Sequence, residues 1–223
     1  VGVDLGIKKL ATLSDGQVFA GSKKYKELNK KLAKFQRKLA RQYEDYKKRE
    51  ELKTKEQKAA DKKKEESNPH IKYFISNNYE KTRLQIQKLH YRIACLRKDI
   101  LHKLTTYLAK NHSGITIEDL NVSGMMKNHN LSQAIANGAF YEFKRQLEYK
   151  CEYYGTKLTV ADRWFASSKT CSCCGHKQEM PLKKRVFDCE NCPNKMDRDL
   201  NAAINLLNYK EEIKEDSKKS STK

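Results

Sequence analysis

Two cysteine pairs, and the acidic segment that follows them, carry the clearest chemistry in this 223-residue sequence. Each pair has two residues between its cysteines, and Asp199 lies just downstream. Four thiolates at this spacing are typical of a closed tetrahedral zinc site, which is structural because no coordination position remains for a substrate. We therefore predict one structural Zn²⁺ held by four ligands: Cys171, Cys174, Cys189 and Cys192.

The other three cysteines lie outside this zinc-ligand set. Cys95 and Cys151 fall in helical apolar patterns, where a buried and unreactive thiol is the ordinary outcome. Cys173 is predicted to be a spare thiol, and His176 is not needed as a ligand because four cysteines complete the site. An odd cysteine count with two C-x-x-C pairs favours reduced thiols and a bound metal over a disulfide framework.

Three acidic residues at the ends of predicted elements could bind a second kind of metal ion. Asp4 lies on the first strand, Glu118 ends a later strand, and Asp199 opens the C-terminal helix. Neighbouring strands would bring Asp4 and Glu118 side by side, with Asp199 across from them. Clustered carboxylates suit Mg²⁺ or Mn²⁺, which can activate water and stabilise the leaving oxygen in phosphodiester hydrolysis. The alternative is that each acid is ordinary, since an acid at a helix start also interacts favourably with the helix dipole.

The elements that must position these acids follow from hydrophobic patterning. Asp15-Gly16 favours a hairpin turn between early strands, and Ser67-Asn68-Pro69 is predicted to break a long amphipathic helix. The predicted order is three strands within 1–20, a helical hairpin over 25–110, a strand over 114–120, a polar loop, a helix over 132–154, a strand over 157–161 and a helix from 197. Without the hairpin and the cysteine segment, this order is that of an RNase H-like fold, an α/β mixed sheet with helices on its faces.

The charge balance of the chain predicts a polyanionic partner. Lys and Arg number 47 against 28 Asp and Glu, which gives a formal charge of +19. Such a surplus favours nucleic acid through phosphate contacts, although solvated lysine-rich helices account for part of it. Three basic residues between the cysteine pairs, Lys183, Lys184 and Arg185, could touch phosphate. No run of about 18 apolar residues occurs, so we expect no membrane partner and a cytoplasmic location.

Four segments of the chain together resemble the motifs of TnpB proteins. Residues 1–6 and 117–121 resemble the first two RuvC motifs, 167–176 resembles the zinc ribbon, and 197–203 resembles the third RuvC motif. TnpB proteins are OrfB-type transposases of insertion sequences and relatives of type V CRISPR nucleases. The resemblance extends to about residue 208 and implies an RNA-guided, divalent-metal-dependent DNA endonuclease encoded by a transposable element.

The resemblance also implies roles for individual residues. Asp4, Glu118 and Asp199 match the catalytic acids and ligands of Mg²⁺ or Mn²⁺, and the four cysteines match the zinc ligands. Asp197 is the near rival of Asp199, which is preferred because the family's acid lies two residues before the Asn of Asn-Ala-Ala. The implied domains are RuvC-like part I (1–24), a helical hairpin insertion (25–110), RuvC-like part II (111–166), a zinc ribbon (167–196), RuvC-like part III (197–209) and a charged tail (210–223).

The sequence opens without methionine and without the family's N-terminal part, so we expect a C-terminal fragment of a longer protein. Its partners would be DNA and, through the longer parent protein, a guide RNA, in the bacterial cytoplasm or nucleoid. Two alternatives remain open. One is a catalytically silent RNA-guided or nonspecific DNA-binding protein, and the other is a recombinase or resolvase of the RNase H-like class.

Overall fold

A computed structural model describes residues 1–67, 75–129, 132–181 and 183–210. The chain divides into two compact units. The first, which we call the sheet unit, comprises Val1–Gly21 and the described residues from Ile100 onward, and the second, the helical unit, comprises Ser22–Asp99. None of the helices in these described ranges is long and apolar enough to cross a membrane.

The sheet unit is built on a mixed sheet of five strands. The strands are β1 (Gly2–Leu5), β2 (Lys9–Leu13), β3 (Val18–Ala20), β4 (Gly114–Glu118) and β5 (Lys157–Ala161). Their spatial order is β3-β2-β1-β4-β5, in which the first three strands pair antiparallel and β1-β4 and β4-β5 pair parallel. The predicted turn between β2 and β3 is present, with Gly16 at φ +88°, which a residue without a Cβ adopts easily. The expected mixed α/β architecture is confirmed.

Four helices and a short hairpin accompany the sheet in this unit. They are α4 (Val122–Met126), α5 (Ser132–Gly138), α6 (Phe140–Tyr154), the antiparallel pair β6 (Val186–Asp188) and β7 (Lys195–Asp197), and α7 (Arg198–Leu207). The prediction of one helix over 132–154 is wrong, because Ala139 adopts a left-handed φ of 48° and separates α5 from α6. The predicted polar loop contains α4, whose start is capped by Asn121 Oδ1 accepting from the Gly124 amide at 3.0 Å.

The described residues of the helical unit form α1 (Lys23–Leu52), α2 (Lys55–Ser67) and the first part of α3 (Asn77–Asn111), which continues into the sheet unit. Leu32 of α1 packs with Leu89 and Ile93 of α3, so the predicted pairing of two apolar stripes is present. The first helix ends at Leu52, earlier than expected, and Asn68-Pro69 of the predicted break lie outside the described residues. Cys95 is exposed, which corrects its prediction as a buried thiol.

Alternation along β1 and β4 assigns their side chains to opposite faces of the sheet. Val3, Ile115 and Ile117 are buried in one core with the end of α3 and with α6. The other face carries α7, because a Cβ on Gly2 would lie 2.0 Å from the Ala203 carbonyl oxygen. The residues that alternate with the core positions therefore point toward α7.

Candidate functional site

Asp4 and Glu118 lie side by side on the α7 face of the sheet. The parallel register of β1 and β4 pairs Val3 with Ile117, so the next positions of the two strands are Asp4 and Glu118. Both acids follow residues whose side chains belong to the opposite core, which turns the carboxyl groups toward α7. Neither acid is fully buried, so both remain accessible from the rim of the sheet.

Asp199 reaches the same place from the first turn of α7. The helix can approach β1 this closely because residue 2 has no side chain. The Asp199 side chain is 15% exposed, and its Oδ1 lies 3.6 Å from Arg198 Nη2 and 3.8 Å from Arg185 Nη1. Arg185, expected only as a phosphate contact in the segment between the cysteine pairs, thus also lies beside an acid of this cluster.

The pKa of Asp4 shows that Glu118 and Asp199 lie close enough to act on it electrostatically, although the three carboxyl groups are not all within 4.8 Å of one another. The pKa of Asp4 is raised to about 8, chiefly by burial and also by the nearby carboxylates of Glu118 and Asp199. Burial also raises the pKa of Glu118, while a hydrogen bond from the hydroxyl of Ser167 opposes that rise. A site at which like charges raise a carboxyl pKa is one that a bound cation would stabilise.

Asp197 and Asp119, which lie close in sequence to acids of this cluster, each form an ion pair with a basic side chain. Asp197 is the N-cap of α7 and accepts from the amide of Asp199 at 2.9 Å, and it pairs with Lys9 Nζ at 2.9 Å. Asp119 pairs with Arg163 Nη2 at 2.6 Å, and this hydrogen bond lowers its pKa. Both ion pairs are shorter than the contacts of 3.6 and 3.8 Å that Asp199 makes with arginine side chains.

The four predicted zinc ligands meet in the ribbon segment between β5 and α7. Their ligand atoms all lie within 4.8 Å of one another, and among the described residues no other group of three or more His, Cys, Asp or Glu side chains is this close. The sulfurs of Cys171 and Cys192 are 3.7 Å apart, as are those of Cys174 and Cys189. Metal–sulfur bonds of about 2.3 Å in a tetrahedron require sulfurs about 3.8 Å apart, so the cluster fits a metal ion.

The pKa values of the thiols in the cysteine cluster are shifted in both directions. A hydrogen bond from the Asn194 backbone amide lowers the pKa of Cys192, but burial and the neighbouring thiols outweigh it and raise that pKa to about 12, whereas hydrogen bonds lower the pKa of Cys171. Burial alone would raise the pKa of Cys171, but backbone amides and the side-chain amide of Asn194 outweigh it and lower that pKa to about 6. Asn194 Nδ2 lies 3.3 Å from the Cys171 sulfur. The hairpin β6-β7 flanks the second cysteine pair and the bridge Thr170–Lys177 flanks the first, so each pair sits in a strand-bordered turn.

A network that the sequence analysis missed joins α7 to the segment leading into the cysteine cluster. Asn205 Nδ2 donates to the carbonyls of Ser167 and Thr170, at 2.8 and 2.7 Å. Asn201 Nδ2 donates to the Thr170 carbonyl at 2.7 Å and its Oδ1 accepts from the Ser172 amide at 3.0 Å. Asn201 is fully buried and Asn205 nearly so. The sequence feature that could have predicted this network is the spacing of the two asparagines, which are four residues apart and therefore lie on one face of the helix.

Two protein-family models match most of the chain. The OrfB/IS605 model, described as "Probable transposase", matches residues 1–71 and 71–129. A model described as "Cas12f1-like, TNB domain" matches residues 140–206, which include α6, β5, the cysteine cluster and nearly all of α7.

Individual relatives agree with these family matches. A "Putative RNA-guided DNA endonuclease" of Streptomyces pristinaespiralis is 36% identical over 93% of this chain and 44% of its own length. A protein of Escherichia coli K12 named "Putative RNA-guided DNA endonuclease InsQ" is 34% identical over 93% of this chain and 48% of its own length. The chain therefore spans less than half the length of these relatives.

A solved structure shares the fold. The Cas12f1 chain in a cryo-EM structure of a Cas12f1–sgRNA–target DNA complex superposes with a TM-score of 0.56 over 93% of this chain and 49% of its own length. The sequence identity is 18%, so this likeness concerns the fold alone.

Proposed function

From the premise that this chain belongs to the OrfB/IS605 family of probable transposases, we propose that it is the nuclease portion of a transposon-encoded, RNA-guided DNA endonuclease. The observation that carries the proposal is the convergence of Asp4, Glu118 and Asp199 on one face of the sheet, where burial and the two neighbouring carboxylates raise the pKa of Asp4. Relatives named as RNA-guided DNA endonucleases support the same reading.

The proposed architecture is an RNase H-like, RuvC-type sheet interrupted by two insertions. The RuvC-like domain would consist of three parts, residues 1–24, 111–166 and 197–209, and the last part would contribute α7. The insertions would be the helical hairpin over 25–110 and a zinc ribbon over 167–196, with a charged tail over 210–223. The mixed strand order β3-β2-β1-β4-β5 and the likeness to Cas12f1 support this assignment.

Asp4, Glu118 and Asp199 would hold Mg²⁺ or Mn²⁺, since carboxylate oxygens are the ligands these hard cations prefer. The bound cations would supply an activated water and stabilisation of the leaving oxygen in phosphodiester hydrolysis. The other residues of the chain would hold the three acids in position. Ser167 orients the Glu118 carboxyl group, the Asp197 cap fixes the turn that carries Asp199, and Gly2 admits α7 to the sheet.

The cysteine cluster would hold one structural Zn²⁺ through Cys171, Cys174, Cys189 and Cys192. All four coordination positions are filled by thiolates, so this ion would take no part in the reaction. Hydrogen bonds from Asn201 and Asn205 would hold α7 against the folded zinc ribbon, so that loss of the zinc would also loosen α7.

The proposed partners are DNA and a guide RNA, the latter engaged through a longer parent protein. The formal charge of +19 supports contact with a polyanion. The proposed location is the bacterial cytoplasm or nucleoid, where such a nuclease meets DNA.

Metal-dependent cutting of single-stranded DNA tests the proposal directly. We expect slow cutting by this chain with Mg²⁺, none without divalent metal, and little cutting of duplexes, because a lone nuclease portion lacks a means of opening them. Asp4→Asn or Glu118→Gln should abolish cutting but preserve DNA binding. Asp15→Asn, a change in the exposed β2–β3 turn, is the matched control and should cut normally. Binding without metal-dependent cutting would instead indicate a catalytically silent DNA-binding protein.

A further inference from the structure

The loop that follows β5 begins and ends beside Glu118. Ala161, the last residue of β5, pairs with Glu118 in the parallel register of the sheet. Ser167 then donates its hydroxyl hydrogen bond to the same carboxylate. Residues 162–166 therefore form an arch next to the acid cluster.

The backbone of this arch is held by several contacts. Asp162 Oδ1 accepts from the Trp164 amide at 2.8 Å, and the Asp162 carbonyl accepts from the Phe165 amide at 2.9 Å. The Phe165 ring packs edge-on against Tyr209 with centroids 4.9 Å apart. Contacts on either side of Trp164 thus fix the direction in which the loop presents it.

The Trp164 side chain nevertheless projects into solvent. It is 86% exposed, the highest value among the large hydrophobic residues that the structure describes. It is also the one tryptophan of the sequence. A fixed loop that exposes the largest aromatic side chain provides a flat apolar surface for a ligand with a π face.

Two cavities lie between Trp164 and Glu118. A cavity of about 330 Å³ is lined in part by Asp119, Arg163 and Trp164. A second cavity, of about 500 Å³, shares Asp119 and Arg163 with the first and extends to Glu118 and Lys144. Arg163 pairs with Asp119 at 2.6 Å, so an ion pair, an aromatic plane and one acid of the cluster border this part of the surface. An aromatic side chain beside cationic ones is typical of surfaces that track a single nucleic-acid strand.

We propose that Trp164 stacks on an unpaired base of the DNA strand whose phosphate lies at the acid cluster, an inference that rests on the proposed nuclease function. Trp164 is the third residue after Ala161, so its Cα lies within about 11 Å of the residue paired with Glu118. The stacked base therefore lies within a few nucleotides of that phosphate. The base must be unpaired, because a base inside a duplex already has neighbours on both faces.

Intrinsic fluorescence tests the stacking directly, because all tryptophan emission from this chain comes from Trp164. The chain is titrated, without added divalent metal, with a single-stranded oligonucleotide, an abasic strand of equal length and a duplex. We expect quenching by the base-bearing single strand, little by the duplex, and none by the abasic strand even when anisotropy shows that it binds. Equal responses to abasic and base-bearing strands would reject the stack. Protection of Trp164 from acrylamide before DNA is added would also reject it, since protein would then cover the ring.

Variants separate this inference from the proposed function. Trp164→Ala should weaken binding of the base-bearing single strand about 5- to 150-fold, leave abasic-strand binding unchanged, and be largely rescued by Trp164→Phe. Tyr153→Ala is the matched control, because Tyr153 is 80% exposed but lies near the start of β5, at the end of that strand opposite to Trp164.

The two hypotheses can therefore fail independently. If Trp164→Ala binds and cuts normally while Asp4→Asn does not cut, the stack is wrong and the nuclease assignment stands. If base-specific quenching occurs in a chain that never cuts DNA, the stack stands and the nuclease assignment is wrong.

Discussion

Ser167 donates a hydrogen bond from its hydroxyl to Oε1 of Glu118, across 49 positions of sequence. Ser167 is buried, and its carbonyl accepts from Asn205 of α7 at 2.8 Å. One residue therefore contacts both the acid at the end of β4 and the helix that carries Asp199. The acid cluster and the entrance to the cysteine segment share this residue.

Removing the Ser167 hydroxyl should slow cutting without weakening DNA binding. Ser167→Ala deletes a hydrogen bond to a carboxylate, an interaction worth about 1.5–3 kcal/mol, so we expect cutting to fall roughly tenfold or more. Ser168→Ala, the adjacent and half-buried position, serves as the control. Single-turnover rates at saturating DNA measure the effect, and a Ser167→Ala rate equal to the control would remove Ser167 from the site.

Amide substitutions should distinguish Asp199 from Asp197. Asp199→Asn removes a proposed metal ligand's charge and should abolish cutting, whereas Asp197→Asn retains a side chain that caps helices well. Asp197→Asn loses the ion pair with Lys9, which is exposed and worth about 1 kcal/mol at most. Cutting rates with Mg²⁺ decide the matter. An active Asp199→Asn protein beside an inactive Asp197→Asn protein would show that the wrong acid was assigned.

Adding a methyl group at residue 2 should separate α7 from the sheet. In Gly2→Ala the new Cβ would lie 2.0 Å from the Ala203 carbonyl oxygen and 2.4 Å from the Leu207 amide, so the helix must move. We expect a loss of at least about 1–3 kcal/mol in the free energy of unfolding, together with slower cutting. Gly21→Ala is the control, because nothing lies within 4 Å of its added Cβ. Denaturant unfolding of both variants measures the difference.

Elemental analysis should find one zinc ion per chain. Cys→Ser at any of the four ligands, or strong chelation, should disorder the ribbon, because such sites contribute about 10–16 kcal/mol of apparent binding free energy at neutral pH. Cys173→Ser, an exposed thiol within the same turn, should keep its zinc. Zinc content and thermal unfolding are measured together. An unchanged melting transition in metal-free protein would refute a structural zinc.

Binding to duplex DNA should be strong, weakly sequence-dependent and sensitive to salt. If roughly five phosphates are neutralised, log K should fall with log salt at a slope near −4 to −5. Replacing the two exposed lysines Lys183 and Lys184 by Gln should reduce that slope by up to about 2 if both contact phosphate. An affinity independent of salt would contradict a phosphate-directed mode of binding.

Local sequence patterns predicted the sheet and the elements bearing the three acids. Alternation located Asp4 and Glu118 on strands, and thiol spacing located the cysteine cluster, because both signals lie within a few consecutive residues. The break at Ala139 was missed although Asn137-Gly138, a dipeptide typical of turns, comes immediately before it and ends α5. Cys95 was misjudged because an apolar helical pattern does not reveal which positions of a long helix lie off the buried stripe.

Contacts between distant segments could not be predicted from the sequence. The Ser167–Glu118 hydrogen bond exists only after the loop following β5 folds back over β4. The pairing of Lys9 with Asp197, at 2.9 Å, likewise joins the second strand to the start of the last helix. Such contacts depend on the topology of the whole sheet unit, so they cannot be predicted from the pattern of a short sequence segment.

The position of Asp199 in the last described helix has a consequence for protein synthesis. Domains fold from the N-terminal side as a chain emerges from the ribosome. The lysine-rich helices and the strands bearing Asp4 and Glu118 are translated well before α7. A ribosome that stalls before residue 197 therefore releases a polypeptide that carries most of the positive charge but lacks the third carboxylate. Under the proposed nuclease function, such an aborted product would bind nucleic acid without cutting it.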